Sequence, residues 1–233
     1  MKIEQPACEQ CKSRKNSLFH FCHLQEIRDI DQAKTFTLYK KGQFIFHEGA
    51  NPVGLYCINS GRVKIFRHAP DGKEQITRLA RAGDFVGYCS LLSNHPYPVS
   101  AAALEEAMIC LVPKTKIIEL IRNNFSFSDG LLKLLSRTVE YSFEKMTDLA
   151  YKPVRGRLAE ALLFLHNFYR DEQNPSGLIA LTREDLAAFT GTVKETAIRM
   201  LNEFKQENLI EIHRNGISVK NMSGLIRISN LYD

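Results

Sequence analysis

The apolar positions near the C-terminus follow a helical period in two short segments, 181–190 and 192–204, which are separated by Gly191. The apolar residues of the second segment recur at helical spacing and are Val193, Ala197, Leu201 and Phe204. This pattern predicts two helices joined by a tight turn, in which the second helix buries one face and presents a polar one.

Both predicted helices are preceded by an N-capping signal. Thr182 precedes the first helix, with Asp185 three residues later. Thr192 precedes the second, with Glu195 three residues later. A hydroxyl followed by a carboxylate at this spacing forms a capping box, in which each side chain accepts a hydrogen bond from a backbone amide. We therefore expect Thr182 and Thr192 to be the N-caps of the two helices.

The segments on either side of these helices complete a small domain. Pro153 precedes a stretch of helical period at 154–169, and proline is favoured at the start of a helix. After the second helix, alternating residues at 210–219 surround Asn215-Gly216, a dipeptide typical of two-residue hairpins. A hairpin that follows a helix-turn-helix predicts a winged helix.

Between residues 36 and 113 the period of the apolar positions changes from helical to alternating. Short alternating runs recur at 44–46, 55–58, 63–66, 74–80 and 107–112. Turn signals separate them, and the glycines at 42, 49, 61, 72 and 83 are expected to adopt positive φ. Short, evenly spaced strands predict a β-sandwich or jelly-roll barrel. A short helix ending near Ala33 is expected before it.

A longer helix is predicted from about Asp129 to Tyr151, after a short helix at 114–123. Its apolar positions recur at alternating spacings of three and four, and the seam comprises Leu132, Leu135, Val139, Ser142, Met146 and Leu149. A narrow seam with polar flanks favours a parallel dimer helix. The alternative is a helix that packs only on its own domain.

These patterns divide the chain into four parts. We expect a cysteine-containing segment at 1–23, a β-roll sensor domain at 24–113, connecting and dimerisation helices at 114–151, and a winged-helix DNA-binding domain at 152–233. The fold class is therefore α+β, with an N-terminal β-roll, a long dimerisation helix and a C-terminal winged helix-turn-helix.

Composition and charge limit the possible partners. Of the 233 residues, 44% are hydrophobic, and no apolar run approaches the ~20 residues that a membrane helix needs. With no apolar signal segment at the N-terminus, we expect a cytoplasmic protein that has no membrane partner. The net charge is +5, but residues 152–233 hold 11 Lys and Arg against 10 Asp and Glu. DNA binding would therefore depend on a few well-placed cations rather than on bulk charge.

The six cysteines are candidates for metal or redox chemistry, because disulfides are uncommon in cytosolic proteins. Cys8, Cys11 and Cys22 could bind zinc together with His20 or His23, which flank Cys22. A thiol redox switch and purely structural cysteines remain open alternatives. We expect Cys57 and Cys89 to pack in the barrel, because free cysteines are commonly buried. Cys89 is the alternative candidate for the fourth ligand of a metal centre.

Four stretches between residues 18 and 220 resemble a known family: 41–46 (KGQFIF), 55–64 (LYCINSGRVK), 83–87 (GDFVG) and 103–113 (ALEEAMICLVP). The chain resembles the CRP/FNR family of transcription regulators, and the last two stretches are closer to the FNR branch. The resemblance implies a homodimer with a cyclic-nucleotide-binding-like jelly roll, which binds palindromic double-stranded DNA and contacts RNA polymerase.

The resemblance also bears on the effector. The cAMP-binding branch has a Glu after the Gly of its phosphate cassette and an Arg before a Ser or Thr. Here Tyr88 follows Gly87 and Val99 precedes Ser100, so cAMP is not expected. The FNR branch implies a [4Fe–4S] cluster, for which the matching cysteines are Cys8, Cys11, Cys22 and Cys110. The interval between Cys11 and Cys22 is longer than is usual in that branch.

The resemblance places Lys194, Glu195 and Arg199 where the family contacts bases. An arginine can donate two hydrogen bonds to guanine, and a glutamate can accept one from cytosine. Ile198 stands where the FNR branch has a serine, and it could contact a thymine methyl group. The expected phosphate contacts are Thr182, Arg183, Thr192 and Thr196, although capping alone would also explain the threonines.

Two other classes of function were weighed. The first is a ligand-binding β-roll protein whose winged helix binds another protein, which the near-neutral charge of residues 152–233 favours. The second is an enzyme, but the sequence has no nucleophile–base pair at motif spacing, no phosphate-binding loop and no metal-hydrolase motif. We therefore expect a DNA-binding regulator and not an enzyme.

Overall fold

The computed structural model describes residues 7–69 and 71–230. The chain forms two compact units, which divide the long helix between Glu140 and Tyr141. The first unit contains most of the β-strands, and the second contains the winged helix together with the hairpin segment His68–Ile76. The first predicted segment, 1–23, begins outside the described residues. In the described part of the chain, no helix combines the length and apolarity needed to cross a bilayer.

The N-terminal segment is built of three 3-10 turns, Cys8–Gln10, Lys12–Asn16 and Leu18–Phe21. Phe19 lies in the third turn and is buried, with its ring edge-on to Phe85 at 4.9 Å between centroids. This burial holds the segment on the first unit. Helix α1, Leu24–Ala33, follows and ends at the predicted residue.

The strands are β1 Thr35–Tyr39, β2 Phe44–Phe46, β3 Gly54–Ser60, β4 Arg62–His68, β5 Glu74–Arg81, β6 Phe85–Val86, β7 Ser100–Ala103 and β8 Ala107–Pro113. They form two four-stranded sheets, β1-β8-β3-β6 and β2-β7-β4-β5. The predicted β-roll is confirmed, and its five turn glycines have positive φ. At Gly61, where φ is 84°, an added Cβ would lie 2.5 Å from a carbonyl oxygen of Glu106, so this turn requires glycine.

Two helices follow the sheets, α3 Lys114–Asn123 and α4 Phe125–Tyr151. Helix α3 has its predicted bounds, whereas α4 begins four residues before the predicted start. The reason is Asn124, whose side-chain oxygen accepts a hydrogen bond from the Phe127 amide at 2.9 Å. Its amide group also donates to the Phe21 carbonyl at 3.1 Å. Helix α4 is anchored through its buried residues Phe127 and Leu131.

The winged helix comprises α5 Val154–Tyr169, α6 Arg183–Thr190, α7 Lys194–Gln206, β9 Ile210–His213, β10 Gly216–Val219 and α8 Met222–Ser229. Pro153 is the N-cap residue of α5, and the predicted hairpin is present, but its two turn residues are Arg214 and Asn215, because Gly216 already pairs with His213. The elements that the sequence pattern did not predict are β1, β6, β7, α8 and the short helix α2, Tyr88–Ser93.

One of the two predicted caps is correct. The Thr182 hydroxyl accepts a hydrogen bond from the Asp185 amide at 3.0 Å, as expected of an N-cap. The prediction for Thr192 was wrong, because the N-cap residue of α7 is Val193. The Thr192 amide donates to the Ala187 carbonyl at 3.0 Å and so belongs to the turn that closes α6. Val193 is consequently 43% exposed and does not join the buried face of α7.

Candidate DNA interface and cysteine cavity

Helix α7 separates its residues into a buried and an exposed face. The buried residues are Ala197, Met200, Leu201 and Phe204. The exposed residues of its N-terminal half are Lys194, Glu195, Ile198 and Arg199, which are the four predicted base-contacting positions, and Asn202, Lys205 and Gln206 are exposed further along the helix. The structure therefore presents these four side chains together on the outer face of the second helix of the motif, which is the placement that base readout requires.

A salt bridge joins the two helices of the motif at this face. Lys194 pairs with Glu184 of α6, and both side chains are exposed. The hydrogen bond with Glu184 raises the pKa of Lys194, so the amine stays charged. Because an exposed pair of this kind stabilises little, Lys194 can exchange Glu184 for a DNA phosphate or base at small cost.

The predicted phosphate-contacting residues lie near the N-termini of the two helices. Thr182 caps α6, Arg183 is its first residue, and both are half-buried. Thr192 lies in the turn, and Thr196 lies in the first turn of α7. Helix N-termini attract phosphate through their free amides, which suits these positions to backbone contacts.

Arg157 of α5 binds the turn between the two helices, a contact that no local sequence signal predicted. Its guanidinium donates to the carbonyls of Thr190 and Gly191 at 3.0 Å each, and to that of Lys152 at 2.6 Å. Two of these acceptors are the last residue of α6 and the following turn residue. One planar guanidinium thus binds the carbonyl end of α6 and the turn that leads to α7.

The predicted seam of α4 is exposed in the single chain. The exposed fractions are 63% for Leu132, 52% for Val139, 62% for Met146 and 45% for Leu149. Leu135 is half-buried and Ser142 is exposed. The buried residues Phe127 and Leu131 and the half-buried seam residue Leu135 pack on the core of the helix's own domain, whereas the other five seam residues are exposed.

Tyr88 occupies the position after Gly87 where the cAMP-binding branch has its glutamate. The side chain is 3% exposed, and its hydroxyl lies 2.7 Å from the Thr138 hydroxyl on α4. Arg78 also donates to the Tyr88 hydroxyl, and it donates to the Phe85 carbonyl at 2.6 Å. The Tyr88 side chain is therefore part of a hydrogen-bond network that links the β-roll to α4.

A small cavity of about 20 Å³ lies between the N-terminal segment and the sheet. Four cysteines line it: Cys8, Cys11, Cys57 and Cys110. Cys57 and Cys110 are directly opposite each other on the paired strands β3 and β8. Cys57 is buried in the hydrophobic core, as predicted, and its position opposite Cys110 follows from this strand pairing.

The two remaining cysteines lie elsewhere. Cys22 does not line the cavity but packs at the edge of the same hydrophobic core. Cys89 is exposed, so the prediction that it packs in the barrel was wrong. It lies on α2, a helix that the alternating pattern did not predict.

The thiols of the N-terminal pair have polar partners. The Lys34 ammonium donates to Cys8 Sγ at 3.0 Å, and the Asn59 amide donates to Cys11 Sγ at 3.2 Å. Burial raises the pKa of Cys8 to about 11 and that of Cys57 well above its usual value. The thiols of Cys8 and Cys57 are therefore protonated at neutral pH.

The fit of a metal group can be tested on this arrangement. Among residues 7–69 and 71–230, no three or more His, Cys, Asp or Glu side chains stand close enough to hold an ion as they are. Of the four cysteines matched to a [4Fe–4S] cluster, Cys8, Cys11 and Cys110 share the cavity and Cys22 does not. The predicted four-ligand set is thus not brought together.

Two family profiles match the chain in the observed order. The cyclic nucleotide-binding domain matches residues 36–124, and the Crp-like helix-turn-helix domain matches residues 156–228. The first covers the β-roll and α3, and the second covers the winged helix.

Among curated proteins, the chain is 29% identical to the fumarate and nitrate reduction regulatory protein of Yersinia pestis, over 82% of this chain and 76% of the relative. It is 29% identical to the anaerobic regulatory protein of Bacillus subtilis, over 80% of each. It is 27% identical to the CRP-like cAMP-activated global transcriptional regulator of Mycobacterium tuberculosis, over 81% of this chain and 85% of the relative.

Solved structures agree with the fold. FixK2 from Bradyrhizobium japonicum superposes with a TM-score of 0.76 at 20% identity, over 86% of this chain and 99% of that one. A CRP/FNR-family regulator from Eubacterium rectale superposes with a TM-score of 0.73 at 17% identity, over 91% and 97%. With a β-roll, a long helix and a winged helix whose α7 presents its polar face, the chain belongs to the CRP/FNR family of DNA-binding transcription regulators.

Proposed function

We propose that the protein is a cytoplasmic homodimer that binds a palindromic DNA site with α7 and regulates transcription through RNA polymerase. The observation that carries this proposal is the exposed face of α7, where Lys194, Glu195, Ile198 and Arg199 stand together. The exposed seam of α4 supports the dimer, because pairing it would bury Leu132, Val139 and Met146. Two copies of α7 would then read two half-sites.

We further propose that the signal enters at the cysteine cavity. One relative is named an anaerobic regulatory protein and another a fumarate and nitrate reduction regulatory protein, which supports a signal linked to oxygen or redox state. The cavity lies under the β-roll, and the Tyr88–Thr138 hydrogen bond provides a physical connection from the β-roll to α4. In this proposal, a change in the oxidation state or ligation of the cysteines shifts the β-roll, and the hydrogen bond between Tyr88 and Thr138 transmits the shift to α4.

Replacing Arg199 by alanine is expected to weaken specific DNA binding by about 1–3 kcal/mol and to relax discrimination at one base position. The physical reason is the loss of a two-donor contact to a base edge. Mobility shift on a selected palindrome and on its single-base variants measures both effects. Arg227→Ala is the matched control, because Arg227 is exposed on α8, outside the motif.

Equal weakening on every sequence would show that Arg199 contacts only phosphate. If the wild-type protein shows no salt-sensitive DNA binding under either oxidising or reducing conditions, the proposal fails. The winged helix would then bind another protein, a role that does not require the positive charge that DNA binding favours.

Cyclic AMP is expected not to bind in the micromolar range. The phenol of Tyr88 cannot replace a carboxylate that accepts from ribose hydroxyls, and Val99 offers no cation to a cyclic phosphate. Isothermal titration calorimetry with cAMP checks this directly. Saturable binding, or stimulation of DNA binding by cAMP, would contradict the assignment.

A further inference from the structure

A buried lysine contacts one thiol of the cysteine cavity. The Nζ atom of Lys34 lies 3.0 Å from Cys8 Sγ, although the two residues are 26 positions apart in the chain. We propose that oxidation joins these two side chains covalently, through one oxygen atom between the lysine nitrogen and the cysteine sulfur. The inference rests on the proposed redox role of the cavity for its biological use, but its chemistry is tested separately from DNA binding.

The surroundings of Lys34 hold its amine beside the sulfur. The Lys34 side chain is only 1% exposed. One oxygen atom of Asp31 accepts a hydrogen bond from the Lys34 ammonium at 2.6 Å and another from the Cys8 amide at 2.9 Å. A single carboxylate oxygen therefore positions both the amine and the backbone of the cysteine. Because a buried ammonium needs such partners, turning the lysine away from the cavity is costly.

The separation of the two atoms suits a direct reaction. Reacting atoms that are held about 3–3.5 Å apart gain much of the advantage of an intramolecular reaction. A bridging oxygen atom spans a nitrogen–sulfur separation close to a hydrogen-bond length, so the link requires little movement of either side chain. The Cys11 thiol has its own polar partners, Ser13 Oγ at 3.0 Å and the Asn59 amide at 3.2 Å. We therefore expect an oxidised Cys8 to react with the amine.

The cavity provides room for the added oxygen atom. Its volume is about 20 Å³, and both Cys8 and Lys34 line it. A water-sized sphere needs roughly 10–15 Å³, so one oxygen atom fits without displacing the core. Cys8 is half-buried, whereas Lys34 is buried. The sulfur is thus the more accessible of the two reacting atoms, and we expect it to be oxidised first.

Hydrogen peroxide supplies the oxygen atom and accepts the electrons. One molecule oxidises the thiol to a sulfenic acid, which forms the sulfur–oxygen bond and releases water. A second molecule takes the electrons for the nitrogen–oxygen bond and releases two more waters. In total, one ammonium, one thiol and two peroxide molecules give the link, three waters and one proton. Nitrogen and sulfur lose two electrons each, both peroxide O–O bonds break, and the Asp31 carboxylate accepts the proton from the ammonium.

The first test exposes the full-length protein to millimolar hydrogen peroxide for hours, because a protonated thiol reacts slowly. Blocking of the remaining thiols, proteolysis and mass spectrometry then identify the peptides that contain Cys8 and Lys34. The expected product is a linked pair whose mass exceeds the sum of both peptides by one oxygen atom less two hydrogen atoms. Dithiothreitol should reduce its amount at least tenfold. A linked pair without the oxygen atom, a disulfide between Cys8 and Cys11, or a Cys8 without any link would each overturn the proposal.

Variants test whether the amine is the reacting group. Lys34→Arg keeps the positive charge but has no primary amine, so it should lower the amount of the linked pair at least tenfold. Cys11→Ser, the matched control in the same segment, should keep the link. Loss of the link in Cys11→Ser would show that Cys11 captures the oxidised sulfur first, and it would overturn the direct reaction with Lys34. The wild-type peptides are measured directly, so the test stands even if Lys34→Arg fails to fold.

A mobility shift on the reduced, oxidised and re-reduced samples distinguishes the link from the proposed redox role. If the link is the signal, oxidation should change the DNA affinity of the wild-type protein at least fivefold and reversibly, but not that of Lys34→Arg. If the link forms and the affinity is unchanged, the redox role fails while the link stands. If no link forms, the covalent proposal is overturned whatever the DNA binding shows.

Discussion

Replacing both Val139 and Met146 by glutamate is expected to convert the proposed dimer into a monomer and to abolish specific DNA binding. The two side chains are 52% and 62% exposed in the single chain, and both belong to the α4 seam. Fully burying an aliphatic side chain stabilises by about 1.5–3 kcal/mol, and a dimer contains each of these residues twice. The paired glutamates would also have to be desolvated opposite each other, which adds repulsion.

The loss of DNA binding follows from the way in which a dimer reads a palindrome. When two recognition helices are joined, the second half-site is bound as an intramolecular event, and this can raise affinity by about 100-fold or more. A monomer loses that gain. The near-neutral charge of residues 152–233 offers little non-specific attraction to compensate for it.

Light scattering after gel filtration gives the oligomeric state, and a mobility shift on the palindrome gives the affinity. Arg137→Glu is the matched control, because it changes the net charge by the same −2 at an exposed position of α4 outside the seam. If the doubly substituted chain remains dimeric, α4 is not the dimer face. The alternative, a helix that serves only its own domain, would then be correct.

The sequence predicted the elements whose signals are local. The hairpin at 210–219, the Pro153 start of α5 and the Thr182 cap each depend on residues within a few positions of each other, and each is confirmed. The hairpin turn lies one residue earlier than the Asn215-Gly216 signal, at Arg214 and Asn215. The Thr192 cap failed although its spacing was correct. Gly191 adopts the αL conformation, and the turn after α6 includes Thr192. Helix α7 therefore begins one residue later than predicted, with Val193 as its N-cap residue.

What the sequence could not predict depends on pairing between distant segments. Cys57 enters the cavity because β3 pairs with β8, in a register that places it opposite Cys110. Periodicity shows which residues of a strand share a face, but it does not identify the partner strand. The role of Tyr88 is of the same kind, since its partner Thr138 is 50 residues away on α4.

Replacing Arg157 by alanine is expected to destabilise the winged helix by about 3 kcal/mol and to misplace α7. The variant loses three hydrogen bonds from a charged donor to backbone carbonyls, and each unsatisfied buried acceptor costs about 1–3 kcal/mol. Lys152 and Thr190 are buried and Gly191 is half-buried, so the three acceptor carbonyls are shielded from bulk water. Water that enters the site can replace some of the lost hydrogen bonds. The expected loss of stability is therefore about 1 kcal/mol for each of the three acceptors, at the lower end of that range.

Hydrogen exchange is the suitable measurement, because it reports each unit separately. The amides of α6 and α7 should exchange roughly 100-fold faster in Arg157→Ala, and specific DNA binding should fall with them. Arg155→Ala is the matched control on the same helix. The partners of Arg155, Glu203 and Glu207, are partly exposed, and its guanidinium also lies over the Phe204 ring. We therefore expect Arg155→Ala to lower the free energy of unfolding of the winged helix by about 1 kcal/mol.

A conservative replacement separates charge from geometry. Arg157→Lys keeps the positive charge, but one ammonium on a flexible stem cannot span the carbonyls of Lys152, Thr190 and Gly191 together. We therefore expect it to restore less than half of the lost protection. Full restoration would mean that charge alone holds the turn. Equal exchange in Arg157→Ala and Arg155→Ala would mean that the turn is fixed by its own backbone, with Gly191 in the αL conformation as the determining feature.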